Sequence, residues 1–512
     1  MQRPFYFSMK RFISKSFTFF IFLTLPALPA YSFELLNSRL DLTYENISLP
    51  HKEIMGLAGG SYLFKTADIM HIGLGVYGAV RGRRGGFFTG GGQIQLDKTL
   101  SPYFSLGAEG FIGGGGGGSA PQGGGLMLRG ALYTLLNVRD QHFKIGYSQI
   151  RFPNGNINSS QLFVGYRSEF KSLFLPGRSN KILPEFLDKL HNMHISSDPQ
   201  NFSFQISNYF PSGEAMTVND KPIARQLNLV GVRYQDNLIS NFWFDFETGA
   251  ALGGGIDGFA QVFSGVSYKI PISQRWAWSS GGLVGAAGGG NVSTGGGVIV
   301  KAYTGPEFMF TKDWSLFMHM GYLVAPDGKF AASTINLNIA KYYKGLMYSQ
   351  GNKIDSKDFK NVYLRKFRIR PGLQNYSFYS ENARKSSNVP NRSITSVQLK
   401  LDSFINNHFY FSGQAIGATT GGAGGYAVGL IGLGYQIIPE LNVEALFGAA
   451  GGGGIDVGAG AIVEPGINYE IPVSESWSIE LGLGYVKALK GKLASWVSSV
   501  GGSYYFSMPG LG

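Results

Sequence analysis

The chain lacks cysteine altogether, and only 15% of its 512 residues are charged. Without thiols it can form neither disulfides nor thiolate metal sites, and it has no cysteine nucleophile. No segment beyond the N-terminal region has the roughly 18 to 20 uninterrupted apolar residues that a membrane-spanning helix needs. A hydrophobic content of 44% is too high for a disordered polymer, so a folded chain is expected.

Glycine and aromatic residues are abundant instead. The 75 glycines follow no three-residue period, which excludes collagen, and 14% of the residues are aromatic. This composition favours β-structure that is exported or associated with a membrane.

The N-terminal segment 1–32 has the features of a secretory signal. Four basic residues within the first fifteen precede the apolar run 17–25, and Ala30-Tyr31-Ser32 fits a small-x-small cleavage site. We therefore expect a signal peptide over 1–32 that is removed on export through the inner membrane.

A strand-turn-strand unit recurs along the remaining chain. In its clearest copy, the strand that ends at Ile471 is followed by a turn and by residues 477–485, in which Trp477, Ile479 and Leu481 alternate with small or polar residues. Period-two alternation over nine residues indicates a strand with one apolar face. Nine such hairpin turns are predicted, at 65–68, 97–102, 137–140, 236–240, 271–274, 311–313, 405–407, 439–440 and 473–476.

The nine turns fall into three groups of three, and each group has one further strand before it and one after it. We therefore predict three internal repeats of eight strands each. A glycine-rich stretch follows the fifth strand of each repeat. The predicted organisation is repeat 1 at 33–170, a connector with a short amphipathic helix at 171–197, repeat 2 at 198–343, a linker at 344–365, repeat 3 at 366–507 and a tail at 508–512.

The pattern predicts an all-β protein of antiparallel, up-and-down membrane β-barrel type. Closure hides the edges of a sheet, and strands with one apolar and one small or polar face match a barrel whose apolar face meets lipid. Trp243, Trp276, Trp314 and Trp477 lie near predicted strand ends, where an interfacial aromatic girdle is expected. The long connectors favour three small barrels over one wide barrel of about 24 strands, although the alternation of residues is compatible with both.

The signal segment, the hairpin 466–485 and the terminal run Val500-Gly501-Gly502-Ser503-Tyr504-Tyr505-Phe506 resemble Gram-negative outer-membrane β-barrel proteins. Each repeat resembles their small eight-stranded class, in which the chain normally ends on an aromatic residue; here six residues follow Phe506. The resemblance implies an outer-membrane location and, as partners, outer-membrane lipid and the barrel assembly machinery.

Two sets of charged residues are candidate sites. Glu109 and Glu444 lie on the fifth strand of their repeats, and Lys144, His319 and Glu480 lie on the seventh. Charges facing a narrow interior must pair or contact water, so we expect a network in the lumen, and lining of a conducting path is the alternative. Basic residues of predicted outer loops form the second set, which could contact lipopolysaccharide phosphates: Arg81, Arg83, Arg84, Arg384, Lys385 and Arg392.

Other chemistry has little support in the sequence. The glycine runs lack the Gly-Lys-Ser/Thr of a phosphate loop, there is no Gly-x-Ser-x-Gly elbow, and no catalytic, cofactor or metal site is predicted. We expect a non-enzymatic envelope protein with a structural, surface-interaction or limited-permeation role, and no nucleic-acid partner. The alternatives are a secreted or surface-attached protein of soluble β-modules, for example one directed to carbohydrate, and a barrel enzyme acting on envelope lipids.

Overall fold

The computed structural model describes residues 34–138, 141–178, 190, 195–223, 225–348, 361–378, 383–385 and 393–511. The predicted signal segment lies outside these residues, and so does most of the helix predicted within 171–197. None of the helices found in the described part of the chain has the length and apolarity to span a bilayer.

The described residues form 24 strands and one 3-10 turn, Pro50–Lys52. The first eight strands are β1 (Glu34–Ser48), β2 (Ile54–Lys65), β3 (Met70–Arg81), β4 (Phe88–Ser101), β5 (Phe104–Gly116), β6 (Met127–Val138), β7 (Gln141–Arg151) and β8 (Asn158–Pro176). The next eight are β9 (Ile195–Pro211), β10 (Leu227–Ile239), β11 (Phe242–Gly253), β12 (Ala260–Pro271), β13 (Trp276–Gly288), β14 (Val298–Met309), β15 (Trp314–Val324) and β16 (Ala331–Tyr348). The last eight are β17 (Val362–Phe378), β18 (Ile394–Phe404), β19 (Phe409–Ala418), β20 (Ala427–Ile438), β21 (Leu441–Gly451), β22 (Ala461–Pro472), β23 (Trp477–Ala488) and β24 (Ala494–Leu511).

All strand pairs are antiparallel, and consecutive strands within each set of eight pair with each other. The first strand of each set also pairs with the last: β1 with β8, β9 with β16, and β17 with β24. Two-residue pairings of β24 with β8 and with β16 then connect the sets, so that the 24 strands belong to one hydrogen-bonded sheet. The fold is an all-β, antiparallel, up-and-down barrel architecture.

Each predicted turn falls at a junction of consecutive strands, for example at 66–69 between β2 and β3. Two of them are shorter than predicted: β4 continues to Ser101 and β10 to Ile239, so most of 97–102 and of 236–240 is strand. Residues 139–140 of the turn predicted at 137–140 lie outside the described residues. The other connections within each set are mostly longer, and they lie at the opposite end of the strands. Two strands reach further into the predicted connectors than expected: β8 continues to Pro176, and β16 continues to Tyr348. The C-terminal tail is also part of the sheet, since β24 continues to Leu511.

The predicted assignment of the two strand faces is confirmed. In β23, Ile479 and Leu481 are each 46% exposed, whereas Ser478 and Glu480 between them are each 2% exposed. The same alternation occurs in the other sets, where exposed Leu132 lies between buried Ala131 and Tyr133, and exposed Leu337 between buried Asn336 and Asn338. The apolar side chains therefore cover the outside, and the small and polar side chains face the interior.

Apolar side chains close each interior at the end with the longer connections. The connection after the third strand of each set turns inward at Phe87, Phe259 or Tyr426. The backbone carbonyls of these residues accept hydrogen bonds from Ala79, Ala251 and Ala418, at 2.9, 2.9 and 3.0 Å. Each inward residue belongs to a buried apolar cluster in its own set. The three sets are therefore closed at this end in the same way, by an inward-turning aromatic residue.

Glycines on the inner face make room for large rings. A Cβ added at Gly281 would lie 2.6 Å from the ring of Tyr303, which is buried at 5% exposure. A Cβ added at the neighbouring Gly282, on the outer face, would meet no atom within 4 Å. Glycine therefore has a steric role at the first position and no such role at the second.

This contrast predicts opposite effects for two adjacent substitutions. Gly281→Val should destabilise the fold by about 1–3 kcal/mol, because the added atoms overpack the interior against Tyr303. Gly282→Val should be neutral or slightly stabilising, because valine suits a strand better than glycine does. Urea unfolding in detergent micelles measures both variants, and equal destabilisation by the two would contradict the assigned faces.

Candidate functional site in the barrel interiors

The interior of the first set holds a connected network of buried charges. Arg129 donates to Glu45 at 2.7 Å and also to Glu109. Lys144 donates to Glu109 at 2.6 Å and to Asp41 at 2.7 Å. Because strands on different sides of the barrel supply these residues, the network crosses the interior.

A second layer lies next to it in the same interior. Arg167 donates through Nε to Asp41 at 2.9 Å, and Arg39 donates to Asp97 at 2.7 Å. Gln95 donates to Asp41 at 2.8 Å and to Glu109 at 3.0 Å, which connects the two layers. Each of these carboxylates therefore has a cationic partner, as a buried charge requires.

The interior of the second set is built around Arg233. This side chain donates to Asp245 at 2.9 Å, contacts Nδ1 of His319 at 2.9 Å, and also donates to Tyr303. The guanidinium carbon lies 4.5 Å from the centre of the Tyr303 ring. Because Arg233 occupies one side of the His319 ring, this histidine belongs to the charge network.

Two lysines complete the second interior. Lys301 donates to Glu247 at 2.6 Å, and Lys269 lies 3.3 Å from Glu307. Lys269 also donates to Tyr342 at 2.6 Å. These pairs neutralise charge on both sides of the Arg233 cluster.

In the third set, two arginines of the first strand occupy the interior. Arg368 donates to Asp402 at 2.7 Å and also to Glu470. Arg370 pairs with Glu444, and it lies 3.3 Å from Glu480. Asp402 accepts from both arginines, since Arg370 donates to it at 2.9 Å.

A small cavity lies in this interior. It lies beside Lys400, Glu444 and Glu464, and its volume of about 10 Å³ has room for about one water molecule. Lys400 closes one side of the cavity and donates to Glu444 at 2.9 Å. Ion pairs fill the middle of the barrel, and the apolar cluster around Tyr426 fills its end.

The five interior residues named from the sequence, Glu109, Lys144, His319, Glu444 and Glu480, are all buried inside the barrels on the strands expected for them. Sequence reasoning missed most of their partners. Two of these partners, Arg368 and Arg370, could have been identified from the sequence. They alternate with apolar residues and therefore point to the inner face of their strand.

The expected tryptophan girdle is only partly supported. Trp276 is 47% exposed on the outside. Trp243 does not belong to a girdle, and its prediction is wrong: it is 8% exposed, and Lys269 lies 4.2 Å from its ring centre. The parity of β11 turns Trp243 inward, beside Asp245. Trp477 packs against a cluster shared by the first and third sets, and Trp314 is half-buried.

Several basic loop residues contact the protein itself. Arg84 forms two hydrogen bonds with Glu53, at 2.8 and 2.5 Å. Arg384 is 7% exposed and donates to the backbone carbonyls of Gly421 and Gly453. Lys385 pairs with Asp257 of the second set. Arg81 and Arg83 are exposed, and Arg392 lies outside the described residues.

The interior arrangement neutralises charge and fills space. Within the described part of the chain, no group of three or more His, Asp or Glu side chains is arranged to hold a metal ion. The charged groups bind one another across each barrel, which joins strands that are distant in sequence.

The network predicts a large cost for removing one of its members. Glu109→Ala should destabilise the protein by about 3–5 kcal/mol, because it leaves buried Arg129 and Lys144 with one anionic partner fewer. Lys329→Ala is the control, because its pair with Asp220 is exposed and should contribute less than about 1 kcal/mol. Unfolding in detergent measures both, and similar values would show that the interior pairs do not stabilise the fold.

No protein-family model matches the chain, and no curated protein matches its sequence. Solved structures that resemble it include three proteins of Pseudomonas aeruginosa. The siderophore receptor PirA is 11% identical, with a TM-score of 0.28 over 92% of this chain and 80% of PirA. The ferric enterobactin receptor PfeA is 10% identical, with a TM-score of 0.26 over 91% of this chain and 81% of PfeA. OpdQ is 9% identical, with a TM-score of 0.19 over 93% of this chain and 97% of OpdQ. TM-scores this low do not indicate a common arrangement of the whole chains.

Proposed function

We propose that the chain is a non-enzymatic outer-membrane protein whose three eight-stranded barrels are filled, and that its role is structural in the envelope and not that of an open pore. The observation that carries the proposal is the interior, where the charges pair across each barrel and apolar side chains close one end. Transport through these interiors would require several buried ion pairs to separate.

The outer surface supports placement in a bilayer. Leucine and valine side chains on the outside are well exposed: Leu132 is 69% exposed, Val284 54% and Leu483 66%. In water such a continuous apolar surface would be costly, because each side chain would remain hydrated. Hydrocarbon removes this cost, as it does for known transmembrane barrels.

The interior supports a structural role over conduction. A porin has an interior wide enough for an aqueous channel, whereas eight strands leave a space that side chains can fill. Here arginines with two or more partners, such as Arg129, Arg167 and Arg370, hold opposite walls together. Such a barrel is well suited to anchor loops at a membrane surface.

Limited permeation is the second candidate function. It is favoured by the polar character of the interiors and by unpartnered buried atoms in the barrel of β9–β16, such as both side-chain polar atoms of Asn338. Water molecules could satisfy these atoms. Single-channel conductance in a planar bilayer separates this candidate from the structural role.

A planar-bilayer experiment tests the filled interior. The purified chain should insert and yet give no single-channel steps of porin size, because the buried pairs leave no continuous water path. Outer-membrane fractionation and a heat-modifiability gel establish that the inserted material is folded. Steady, large conductance from folded protein would overturn the structural role, and small steps would favour limited permeation.

A second experiment tests whether the outer face meets lipid. Leu481→Arg, on the outer face within β23, should destabilise the bilayer-inserted protein by about 2–4 kcal/mol, because it places a charge in hydrocarbon. Leu489→Arg, in the connection after β23, should cost less than about 1 kcal/mol, since the interface tolerates arginine.

The two leucines are a matched pair, at 46% and 56% exposed. In a secreted protein with soluble modules, both leucines would face water, and both substitutions would be tolerated equally. Equal stabilities in vesicles, together with extraction in aqueous buffer without detergent, would therefore support the soluble alternative and contradict the membrane proposal.

A further inference from the structure

The glycine-rich segments found in the sequence lie where one barrel meets the next. Barrel 1 here means β1–β8, barrel 2 means β9–β16 and barrel 3 means β17–β24. Gly86, between β3 and β4, has a φ of +86° and packs directly against the backbone of Gly288 and Gly289 in barrel 2. The adjacent Gly85 N–H donates to the carbonyl of Gly295, at 2.9 Å.

Barrel 2 contacts barrel 3 through the same elements. Gly258, between β11 and β12, has a φ of +85°, and a Cβ added to it would lie 2.9 Å from the backbone nitrogen of Gly452. Beside this contact, Lys385 of barrel 3 reaches Asp257 of barrel 2 at 2.5 Å. Any side chain at Gly258 would therefore push the two barrels apart.

Barrel 3 contacts barrel 1 in the same way. Gly425, between β19 and β20, has a φ of +92°, and an added Cβ would lie 3.0 Å from the backbone nitrogen of Gly117. The adjacent Gly424 N–H donates to the carbonyl of Gly123 at 3.0 Å. This third contact brings the last barrel back to the first.

The three contacts use equivalent positions. Gly86, Gly258 and Gly425 each precede the inward-turning aromatic residue of their barrel. The glycines that receive them in the next barrel, Gly289, Gly452 and Gly117, each accept a hydrogen bond from the residue three positions later, at 3.1, 3.2 and 3.0 Å. The connection after the third strand of one barrel therefore meets the connection after the fifth strand of the next.

The opposite end of the barrels is also held together. Leu173 of β8, Ile195 of β9, Leu346 of β16 and Leu364 of β17 form one buried cluster. The N–H of Gly177, after β8, donates to the carbonyl of Tyr505 in β24 at 2.9 Å. Arg178 then stacks over the Tyr505 ring at 4.5 Å and contacts Glu470 at 3.2 Å. The barrels thus contact one another at both ends.

We propose that these glycine contacts are docking junctions, and that they assemble the three barrels into a closed ring with pseudo-threefold symmetry. The connection after the third strand is the docking element, and its partner is the connection after the fifth strand of another eight-stranded barrel of the same design. The proposal goes beyond the structural role above, and it is independent of whether the barrels conduct.

The ring has two physical consequences. Head-to-tail contacts form a closed ring only if the last unit meets the first, and the contact of barrel 3 with barrel 1 meets this condition. All three docking elements are then occupied within one chain, so no junction is left to recruit a second copy. The barrels should also stay together when the chain between them is cut.

A nicked chain tests the junctions. A site for a sequence-specific protease is placed within 349–360, between barrels 2 and 3, and is cut after the full-length protein has inserted into the membrane. After extraction in mild detergent, the two fragments should migrate together on a native gel and separate only on heating. Free migration of the barrel 3 fragment from the otherwise unaltered chain would overturn the proposal.

Matched double variants identify the contact responsible. Gly258→Leu with Gly425→Leu disrupts both junctions of barrel 3 and should lower the associated fraction about tenfold. Gly255→Leu with Gly422→Leu is the control, because these glycines lie in the same connections with positive φ, +78° and +63°, and an added Cβ would meet no atom within 4 Å. Equal loss in both variants would assign the effect to backbone strain and contradict docking.

A charge exchange tests the junction even if the leucine variants fail to fold. Lys385→Glu, at a side chain that is 47% exposed, should weaken association of the nicked fragments. Asp257→Lys in the same chain should restore it, because the pair is re-formed with its charges exchanged. Association that is unchanged by Lys385→Glu, or not restored by the second substitution, would contradict a role for this pair at the junction.

Discussion

The small circumference of a closed eight-stranded circuit is the constraint on which the rest of the structure depends. Once β1 pairs with β8, every second side chain of each strand points into a narrow space that has to be filled. Charged groups such as Asp41 and Arg167 can occupy that space only as partners of one another, because an isolated buried charge is costly. Glycine is needed wherever a ring such as that of Tyr303 crosses the interior.

The three barrels meet this constraint with different residues. In barrel 1 the network centres on Asp41 and Glu109, whereas in barrel 3 two arginines of the first strand, Arg368 and Arg370, bind the carboxylates of other strands. The polar contacts of the interior therefore differ between these two barrels. By contrast, the glycine junctions and the inward-turning connections keep the same position in all three barrels, because close approach of two backbones leaves no room for a side chain.

Most of the strand pattern could be predicted because its causes are local. Alternation in residues 477–485 and turn residues at 473–476 specify a hairpin without reference to the rest of the chain. The interior partners were harder to predict, since pairing of Arg129 with Glu45 depends on which strands face each other across the barrel. Its place near a strand end predicts that Trp243 lies on the outside, but strand parity directs it to Lys269 in the interior.

The amino-acid sequence by itself determined the number of strands, the turns between them and the side of each strand that is apolar, because period-two alternation and turn chemistry act over a few residues. Only the tertiary structure decided which strands close on each other, which charges meet, and that Gly86, Gly258 and Gly425 lie against neighbouring barrels. These contacts join residues far apart in the chain, and no local pattern specifies a partner at that distance.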